Sequence, residues 1–337
     1  MPENRLFPPE GNRPTSVYTL DQLQTSAESG ARLEGIVHRC DTSHTLILPL
    51  GGAEGRIPRE EAVAPWISGA DREISVLSRV GKATCFTVQS MGADAKGAPV
   101  ALLSRRAAQE QAMAWMEEHL RPGMVLECRV TRLESFGAFL DIGCGIIAML
   151  PIERISVSRI DHPSVRFREG QRILAAVLHM DRQRRRITMT HRELLGTWME
   201  NASRFAPGET VRGTVRSVRE YGSFIELTPN LSGLADVKAG LAPGDGVAVY
   251  IKSIRPERMK IKLQIIQRLP PSPEPEPLRY QITDGVLGTW TYSPLGCEKA
   301  PIETVFSAPA DHSPAAVNAF ADRGETPAPE RPLTEGP

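Results

Sequence analysis

The chain has 337 residues and a hydrophobic fraction of 41%, which is enough for two or three small domains that each bury a core. Its 40 Lys and Arg residues balance 40 Asp and Glu residues, and this zero net charge argues weakly against a protein that binds nucleic acid. The five cysteines include no Cys-x-x-Cys pair, no apolar run is long enough to span a membrane, and the N-terminus lacks the apolar region of a signal peptide. The composition therefore predicts a cytoplasmic protein without disulfides, a metal or another cofactor.

The first 104 residues predict an N-terminal lead-in followed by a β unit. The lead-in covers residues 1–30. Residues 1–15 are rich in proline and polar residues, which favours disorder, and residues 20–29 favour a short helix that ends at Gly30. Residues 31–104 form a first, divergent unit with a surface insertion at residues 65–76. Its five predicted strands cover residues 33–40, 45–50, 54–58, 82–91 and 100–103.

Two further β units follow, each preceded by a segment of helix-forming residues. Linker helices are predicted over residues 105–120 and 191–206, and the units themselves over residues 121–190 and 207–268. The predicted strands cover residues 124–133, 136–142, 146–150, 171–180 and 186–190 in the second unit, and 209–219, 222–227, 233–237, 246–255 and 259–265 in the third. Apolar residues alternate along these strands, and five such strands are typical of a closed barrel of the OB type.

The C-terminal part predicts a small appendage and a tail. Residues 269–306 combine a Pro-rich linker with strand-like pieces that favour a hairpin docked on the third unit. Residues 307–337 are rich in Ala, Pro and Glu, which favours disorder. The predicted fold class is therefore all-β with linker helices: three tandem five-stranded OB-fold barrels and a small C-terminal β appendage.

Two tracts of the form aromatic-Gly-small-Phe are the strongest functional signal. Phe136-Gly137-Ala138-Phe139 lies in the second unit and Tyr221-Gly222-Ser223-Phe224 in the third, each at the start of a predicted second strand. A glycine at a strand start permits a distortion that places both rings on one side, where they could stack on bases. Phe139 and Phe224 could instead be core residues, whereas Phe136 and Tyr221, beside Arg132 and Arg219, are better candidates for exposed rings.

A run of arginines is the second signal. Residues 121–192 hold 13 Lys and Arg against 7 Asp and Glu, so a basic surface is possible on a neutral chain. Four of these arginines lie around the turn between the last two strands of the second unit and could contact phosphates: Arg182, Arg184, Arg185 and Arg186. The alternative is a solvated turn without a ligand. The third unit offers a weaker equivalent in Arg255, Arg258, Lys260 and Lys262.

No pattern of residues predicts catalysis. The sequence contains no phosphate-binding loop, no dinucleotide-binding glycine pattern and no paired-carboxylate motif. Its histidines have no partners at the spacing of a metal site or a catalytic triad. The sequence therefore predicts no catalytic residues and no metal ligands.

These residues together resemble the RNA-binding domain of bacterial ribosomal protein S1, which also occurs in polynucleotide phosphorylase. The resemblance covers roughly residues 30–306. The second unit carries it through Pro122-Gly123, Val130-Thr131-Arg132, Phe136 to Gly143, Gly170-Gln171 and Arg186 to Thr190, and the third through Pro207-Gly208, Gly213-Thr214-Val215, Tyr221 to Phe224 and Gly233-Leu234. The first unit matches at Glu54 to Pro58 but has Ser43-His44-Thr45-Leu46 in place of the aromatic tract. The whole is similar to the short, three-domain form found in clostridial-type bacteria.

The resemblance implies an OB barrel that binds single-stranded RNA through two aromatics of the second strand, a nearby histidine and basic residues. Phe136, Phe139, Tyr221 and Phe224 match the aromatics. The histidine position holds Pro151 in the second unit and Asp236 in the third, where the carboxylate would repel phosphate. His44 lies near the missing aromatic of the first unit and could stack on a base. The alternative is that the first unit serves as a docking domain and does not bind RNA.

The sequence thus favours a non-enzymatic protein that holds single-stranded RNA, in particular mRNA, at or near the small ribosomal subunit. The expected RNA contacts are Phe136, Phe139, Arg132, Arg182, Arg184, Arg185, Arg186, Tyr221, Phe224, Arg219 and Lys260. Two alternatives stay open. One is a protein-interaction scaffold on the ribosome or RNA polymerase, and the other is an accessory RNA-binding subunit of an RNA-degrading complex.

Overall fold

A computed structural model describes residues 7–11, 17–67, 73–270 and 277–306 of the chain. Strands predominate in this part of the chain, and they form three β units in tandem with short helices between them. This arrangement confirms the predicted fold class. The tail for which disorder is predicted, residues 307–337, lies outside the described residues.

The first unit is a six-stranded sheet, where the sequence predicts a closed five-stranded barrel. Its strands are β1 (Arg32–Ile36), β2 (Arg39–Cys40), β3 (Leu46–Pro49), β4 (Glu54–Ile57), β5 (Ala83–Ala93) and β6 (Pro99–Ser104), in the order β1-β5-β6-β4-β3-β2. The two edge strands are consecutive in the chain. The backbone changes partner between them: Val37 donates to the carbonyl of Lys82, and His38 to that of Ile47. The single first strand that the sequence predicts is therefore split into β1 and β2. These two strands lie at opposite edges of the sheet and are connected by Val37 and His38.

Helices flank this sheet. The predicted helix α1 (Leu20–Ser29) begins at the side chain of Thr19 and ends at Gly30 in the left-handed conformation, as the sequence indicates. A short helix α2 (Glu73–Leu77) precedes β5. The linker helix α3 (Arg105–His119) begins where the hydroxyl of Ser104 accepts a hydrogen bond of 2.8 Å from the Ala107 amide.

The second and third units are closed five-stranded barrels with the same topology. The second consists of β7 (Val125–Glu134), β8 (Gly137–Asp141), β9 (Ile147–Pro151), β10 (Arg172–Asp181) and β11 (Arg186–Thr190). The third consists of β12 (Thr210–Arg219), β13 (Gly222–Thr228), β14 (Leu231–Ala235), β15 (Gly246–Arg255) and β16 (Lys260–Leu269). Alternate residues point inward, and Leu126, Cys128 and Val130 on β7 are fully buried in the core of the second barrel.

The second linker is not the single helix that the sequence predicts. A 3-10 helix (Arg192–Leu195) ends at Gly196, and α4 (Trp198–Ala202) begins only after it, with Thr197 and Glu200 forming a capping box. Gly196 has a φ of 85°, and a Cβ atom there would lie 2.7 Å from the Gln281 side chain. The appendage thus approaches position 196 so closely that only glycine fits. The positive φ of Gly196 also interrupts the helix, because helical residues have negative φ angles.

The second and third barrels pack directly against each other. The carboxylate of Glu226, on β13, accepts hydrogen bonds from Arg216 on its own barrel and from Arg166 on the second. All three side chains are largely buried. The turn after β13 adds a further link, because the Asn230 side chain accepts a 2.9 Å bond from the Val157 amide. The two barrels are therefore held in a fixed relation.

The C-terminal appendage docks on both barrels, whereas the sequence places it on the third alone. Its hairpin, β17 (Thr289–Thr291) and β18 (Glu303–Val305), buries Trp290 against the core of the third barrel. The preceding segment bonds to the second barrel, where Leu287 donates to the Gly123 carbonyl and Val125 donates to that of Gly285. The appendage thus bridges the two barrels.

Residues 7–11 of the lead-in are packed into the fold, so the prediction of disorder is wrong for this part. Phe7 lies in the hydrophobic core, and Glu10 is buried in ion pairs with Arg105 at 2.8 Å and Arg79 at 2.7 Å. Burial alone would raise the pKa of Glu10, but the charges of these two arginines hold it at about 2. Glu10 thus ties the lead-in to the first unit and to α3.

Candidate nucleic-acid interface

In the second barrel, the aromatic tract places two rings together on the outer surface. Phe136 precedes β8 and is 52% exposed, and Phe139 is partly buried. Their ring centroids lie 6.0 Å apart in an edge-to-face arrangement. Gly137 permits this geometry because a Cβ atom there would lie 2.3 Å from the carbonyl oxygen of Leu150 on the neighbouring strand. The rings therefore lie on one side of the barrel, as the sequence predicts.

The third barrel repeats this geometry. Tyr221 is 70% exposed, and its ring centroid lies 6.2 Å from that of Phe224, again edge to face. A Cβ atom at Gly222 would lie 2.6 Å from the carbonyl oxygen of Ala235. The small residue of each tract, Ala138 or Ser223, is fully buried beneath the rings. Neither Phe139 nor Phe224 belongs to the buried core, which excludes the alternative interpretation of these two residues.

Strand register extends each aromatic pair into a row of outward-facing side chains across the barrel. In the second barrel this outer row is Arg132, Phe139, Met149, Thr188 and His179, and in the third it is Ser217, Phe224, Leu234, Lys262 and Ser253. Met149, His179 and Leu234 are not among the site residues predicted from the sequence. Their alternation with buried neighbours could have indicated them, but only the pairing of strands aligns them with the phenylalanines.

Three of the seven predicted basic contacts lie around these rows. Arg132 directly opposes Phe139 across the strand pair and is exposed, although it also forms an ion pair with Glu134. Arg219 is exposed beside Tyr221, at the end of β12. Lys260 is exposed two residues before Lys262 of the outer row, so both ammonium groups lie on the outer face of the third barrel.

The four side chains of the arginine turn, which the sequence predicts as phosphate contacts, have two kinds of surroundings. The guanidinium of Arg182 donates to the carbonyl of Glu117, at the C-terminal end of α3. Arg185 bonds to the Glu117 carboxylate at 3.0 Å and lies over the ring of Trp66, with 5.3 Å to its centroid. Cations in this position offset the partial negative charge of a helix C-terminus. All four side chains are exposed, but the contacts of the other two are within the turn itself: Arg184, which is 67% exposed, lies 4.0 Å from the Asp181 carboxylate, and Arg186 follows it at the start of β11.

The histidine position of the resemblance holds different chemistry in each barrel. Pro151 ends β9 in the second barrel. Asp236 of the third barrel is exposed and lies 3.5 Å from the ammonium of Lys252. This partner offsets the repulsion between Asp236 and phosphate that the sequence suggests.

The first unit lacks the aromatic pair. Ile47 occupies the position that corresponds to Phe139, in a row that contains Arg39, Arg56, Leu102 and Ser90. His44 corresponds to Phe136 but is only partly exposed, in a turn that the carboxylate of Asp41 holds through the amides of Ser43 and Thr45. The acidic and basic groups of this face are paired, since Glu54 lies within 4.0 Å of both Arg39 and Arg56.

Two features are absent from the residues that the structure describes. Among them, no group of three or more His, Cys, Asp or Glu residues could hold a metal ion. No described helix has the length and apolar character needed to cross a membrane.

Comparisons with known proteins identify relatives of this chain. Residues 119–192 match the family model of the S1 RNA binding domain. The chain is 30% identical over 198 residues to the small ribosomal subunit protein bS1 homolog of Bacillus subtilis, which covers 53% of this chain and 52% of that protein. It is 30% identical over 243 residues to the bS1 protein of Leuconostoc lactis, in an alignment that covers 67% of this chain and 54% of that protein.

The chain thus spans about half the length of the curated relatives it matches. Among solved structures, a multidomain protein with nucleic acid binding domains from Streptococcus pneumoniae aligns with 72% of this chain and 75% of its own, at 12% identity and a TM-score of 0.24. The sequence matches confirm the resemblance: the chain belongs to the S1-domain proteins, with an S1 RNA binding domain at residues 119–192, and is a relative of the bS1 ribosomal proteins.

Proposed function

We propose that this protein binds single-stranded RNA, in particular mRNA, without catalysing a reaction on it, and that it acts in the cytoplasm at the small ribosomal subunit. The units at residues 121–190 and 207–268 would carry the RNA sites. The observation that carries the proposal is the pair of exposed rings, Phe136 with Phe139 and Tyr221 with Phe224, at the same position on two barrels. Stacking on such rings is independent of base identity, because every base offers a flat face.

The charges near the rings support RNA as the ligand. Arg132, Arg184 and Arg186 lie on the outer surface of the second barrel, and Lys260 and Lys262 on that of the third. Phosphates bound along these faces would release counterions, so the affinity should fall as the salt concentration rises. The relatives are small-subunit ribosomal proteins, which supports the ribosome as the place of action.

The fixed relation between the two barrels favours simultaneous use of both sites. Once one site holds the RNA, the second meets it at a high effective concentration, and the fixed geometry limits the entropy lost. The buried contact of Glu226 with Arg166 and Arg216 is therefore part of the proposed binding mechanism, although it touches no RNA.

Fluorescence anisotropy with labelled RNA tests the proposal. The full chain is titrated into single-stranded RNA and, separately, into duplex DNA of the same length, at several salt concentrations. We expect a clear preference for the single strand and a negative slope of log affinity against log salt. If micromolar protein produced no binding, the proposal would be wrong, and a protein-interaction scaffold would take its place. Co-sedimentation with ribosomal subunits then tests the proposed location.

A further inference from the structure

A groove of about 600 Å³ separates the first unit from the second barrel. One wall comes from the first unit and includes Ile36, at the end of β1, and Lys82, just before β5. The other wall comes from the second barrel and includes Arg129 on β7 and Ile147 on β9. Cavities of about 300–1,000 Å³ are typical of sites for small molecules, so a nucleotide would fit by volume.

The walls offer apolar surface from both sides. Ile36 and Ile147 are each 42% exposed, although aliphatic side chains of this size are usually buried. They belong to different units, and both line the groove. Glycines at positions 35, 81 and 170 line it as well, and a Cβ atom at Gly81 would meet no atom within 4 Å, so the backbone is open to a ligand here. A flat apolar group such as a base could be held between the two isoleucines.

The groove also offers two cations that could bind phosphate. Arg129 donates to the carbonyl oxygens of Glu10 at 2.7 Å and Gly170 at 3.3 Å, and no carboxylate of the described residues pairs with it. The ammonium of Lys82 is exposed and likewise has no ion-pair partner in the described part of the chain.

The acidic side chains of the groove already have partners. Glu10 is paired with Arg79 and Arg105, and Glu34 accepts a hydrogen bond from the Gly11 amide. Asp141 accepts hydrogen bonds from three backbone amides. These bonds spread the negative charge of the carboxylates, which reduces their repulsion of a phosphate.

The groove continues the outer row of the second barrel. Ile147 lies two residues before Met149 on β9, and Met149 is the direct cross-strand neighbour of Phe139. Two residues of strand correspond to about 7 Å. Ile147, at the mouth of the groove, is therefore only about 7 Å from the position where RNA would cross Phe139 and Met149.

We propose that this groove extends the RNA site of the second barrel and takes up one nucleotide of the bound strand, with its base between Ile36 and Ile147 and its phosphate at Lys82 and Arg129. The inference rests on the proposed function. It gives the first unit a role as a wall of the RNA site, although that unit has no aromatic pair of its own.

The test compares Lys82→Gln with Lys96→Gln in the full chain. Both lysines are exposed on the first unit, but Lys96 lies in the turn between β5 and β6 and does not line the groove. Each variant is titrated with a labelled oligouridylate of about 12 nucleotides, within the range of site sizes known for OB folds, over a salt series. We expect Lys82→Gln to make the slope of log affinity against log salt less negative by about 0.7, the contribution of one contact to a single strand, and Lys96→Gln to leave it unchanged.

A photocrosslink provides a second measurement. Oligouridylate with one 4-thiouridine at each position in turn is irradiated with the wild-type protein, and crosslinked peptides are identified by mass spectrometry. We expect crosslinks to the peptide that contains Ile36, which lies apart from the rings of the proposed RNA site. Equal salt slopes for the two lysine variants without such crosslinks would overturn the inference, while RNA binding by the wild type would leave the proposed function intact. No binding by the wild type would overturn both.

Discussion

The hydroxyl of Tyr280 lies 3.2 Å from Nε2 of His191, and this contact joins the C-terminal appendage to the end of the second barrel. The hydroxyl also accepts a hydrogen bond from the Leu174 amide, so its proton is directed at Nε2. Nδ1 of His191 lies 2.7 Å from the carbonyl oxygen of Ile155 and donates to it. The imidazole is therefore bound as a neutral ring with its proton on Nδ1.

This arrangement predicts a dependence of stability on pH. Burial lowers the pKa of His191 from 6.5 to about 4. Between these two pH values the unfolded chain binds a proton that the folded chain does not, so the free energy of unfolding rises with pH through this range. The contribution is fully present above pH 6.5 and is lost as the pH falls to about 4, with a total of about 3 kcal/mol. Urea unfolding between these limits measures it.

The matched variant is His191→Gln, which has no titrating group at this position. Burial and the charge of Glu10 raise the pKa of Asp141 to about 7, so Asp141 contributes a pH dependence of the opposite sign in the same range. The difference between wild type and variant removes the Asp141 contribution, which both proteins share. An identical pH dependence of unfolding in the two proteins would contradict the prediction.

The sequence was sufficient for the strands and for the aromatic pairs because both depend on local patterns. Alternation of apolar residues predicts the strands of the two closed barrels, and a glycine between two aromatics predicts rings on one side. The contacts of Glu10 could not be predicted in this way. Its partners Arg79 and Arg105 lie 69 and 95 residues away, and nothing in their neighbourhoods marks them as a pair.

The contacts within the arginine turn could not be predicted for a related reason. Four neighbouring arginines look equivalent in a sequence. In the fold, however, two of them contact Glu117 or Trp66, which lie in distant parts of the chain. The helix predicted across Gly196 failed because local propensity tolerates a single glycine, while the appendage selects a conformation that only glycine adopts easily. Tertiary contacts decided both cases.

Removal of the most exposed rings should weaken RNA binding unequally. Phe136→Ala removes a stacking surface from the barrel with the larger local excess of positive charge, and we expect a loss of about 1–3 kcal/mol in binding free energy. Tyr221→Ala should cost less, because Asp236 and its partner Lys252 leave a smaller positive excess near that ring. Anisotropy with single-stranded RNA measures both.

Tyr250→Ala is the control for these two variants. Tyr250 is also an exposed ring of the third barrel, but it lies on β15 and pairs with Thr210 and Gln264, outside the outer row. The Tyr250→Ala variant should bind RNA with the affinity of the wild type. A loss with Tyr250→Ala equal to that with Phe136→Ala would show that exposed rings in general, rather than the paired ones, determine binding.

The arginine turn should separate RNA binding from stability. Arg184→Gln combined with Arg186→Gln removes two exposed charges and only one surface ion pair, that of Arg184 with Asp181, so the salt slope should become less negative by about 1.4 while stability changes little. Arg182→Gln combined with Arg185→Gln removes the contacts with Glu117, and should lower the free energy of unfolding by about 1 kcal/mol. Salt-dependent anisotropy and urea unfolding of both double variants test this division. It fails if the second pair changes the salt slope as much as the first.

Removal of the Glu10 side chain should destabilise the fold strongly. Glu10→Ala leaves the guanidinium of Arg105 buried without its carboxylate, and loss of one partner from a buried ion pair costs about 3–5 kcal/mol. Since the pKa of Glu10 is held at about 2, below its ordinary 4.5, the contribution is present above pH 4.5 and is lost as the pH falls toward 2. Urea unfolding at neutral pH should therefore show the full loss.

Glu28→Ala, at an exposed position of α1, is the control and should change stability by less than about 0.5 kcal/mol. A loss of similar size in the two variants would mean that the lead-in does not anchor the fold through Glu10.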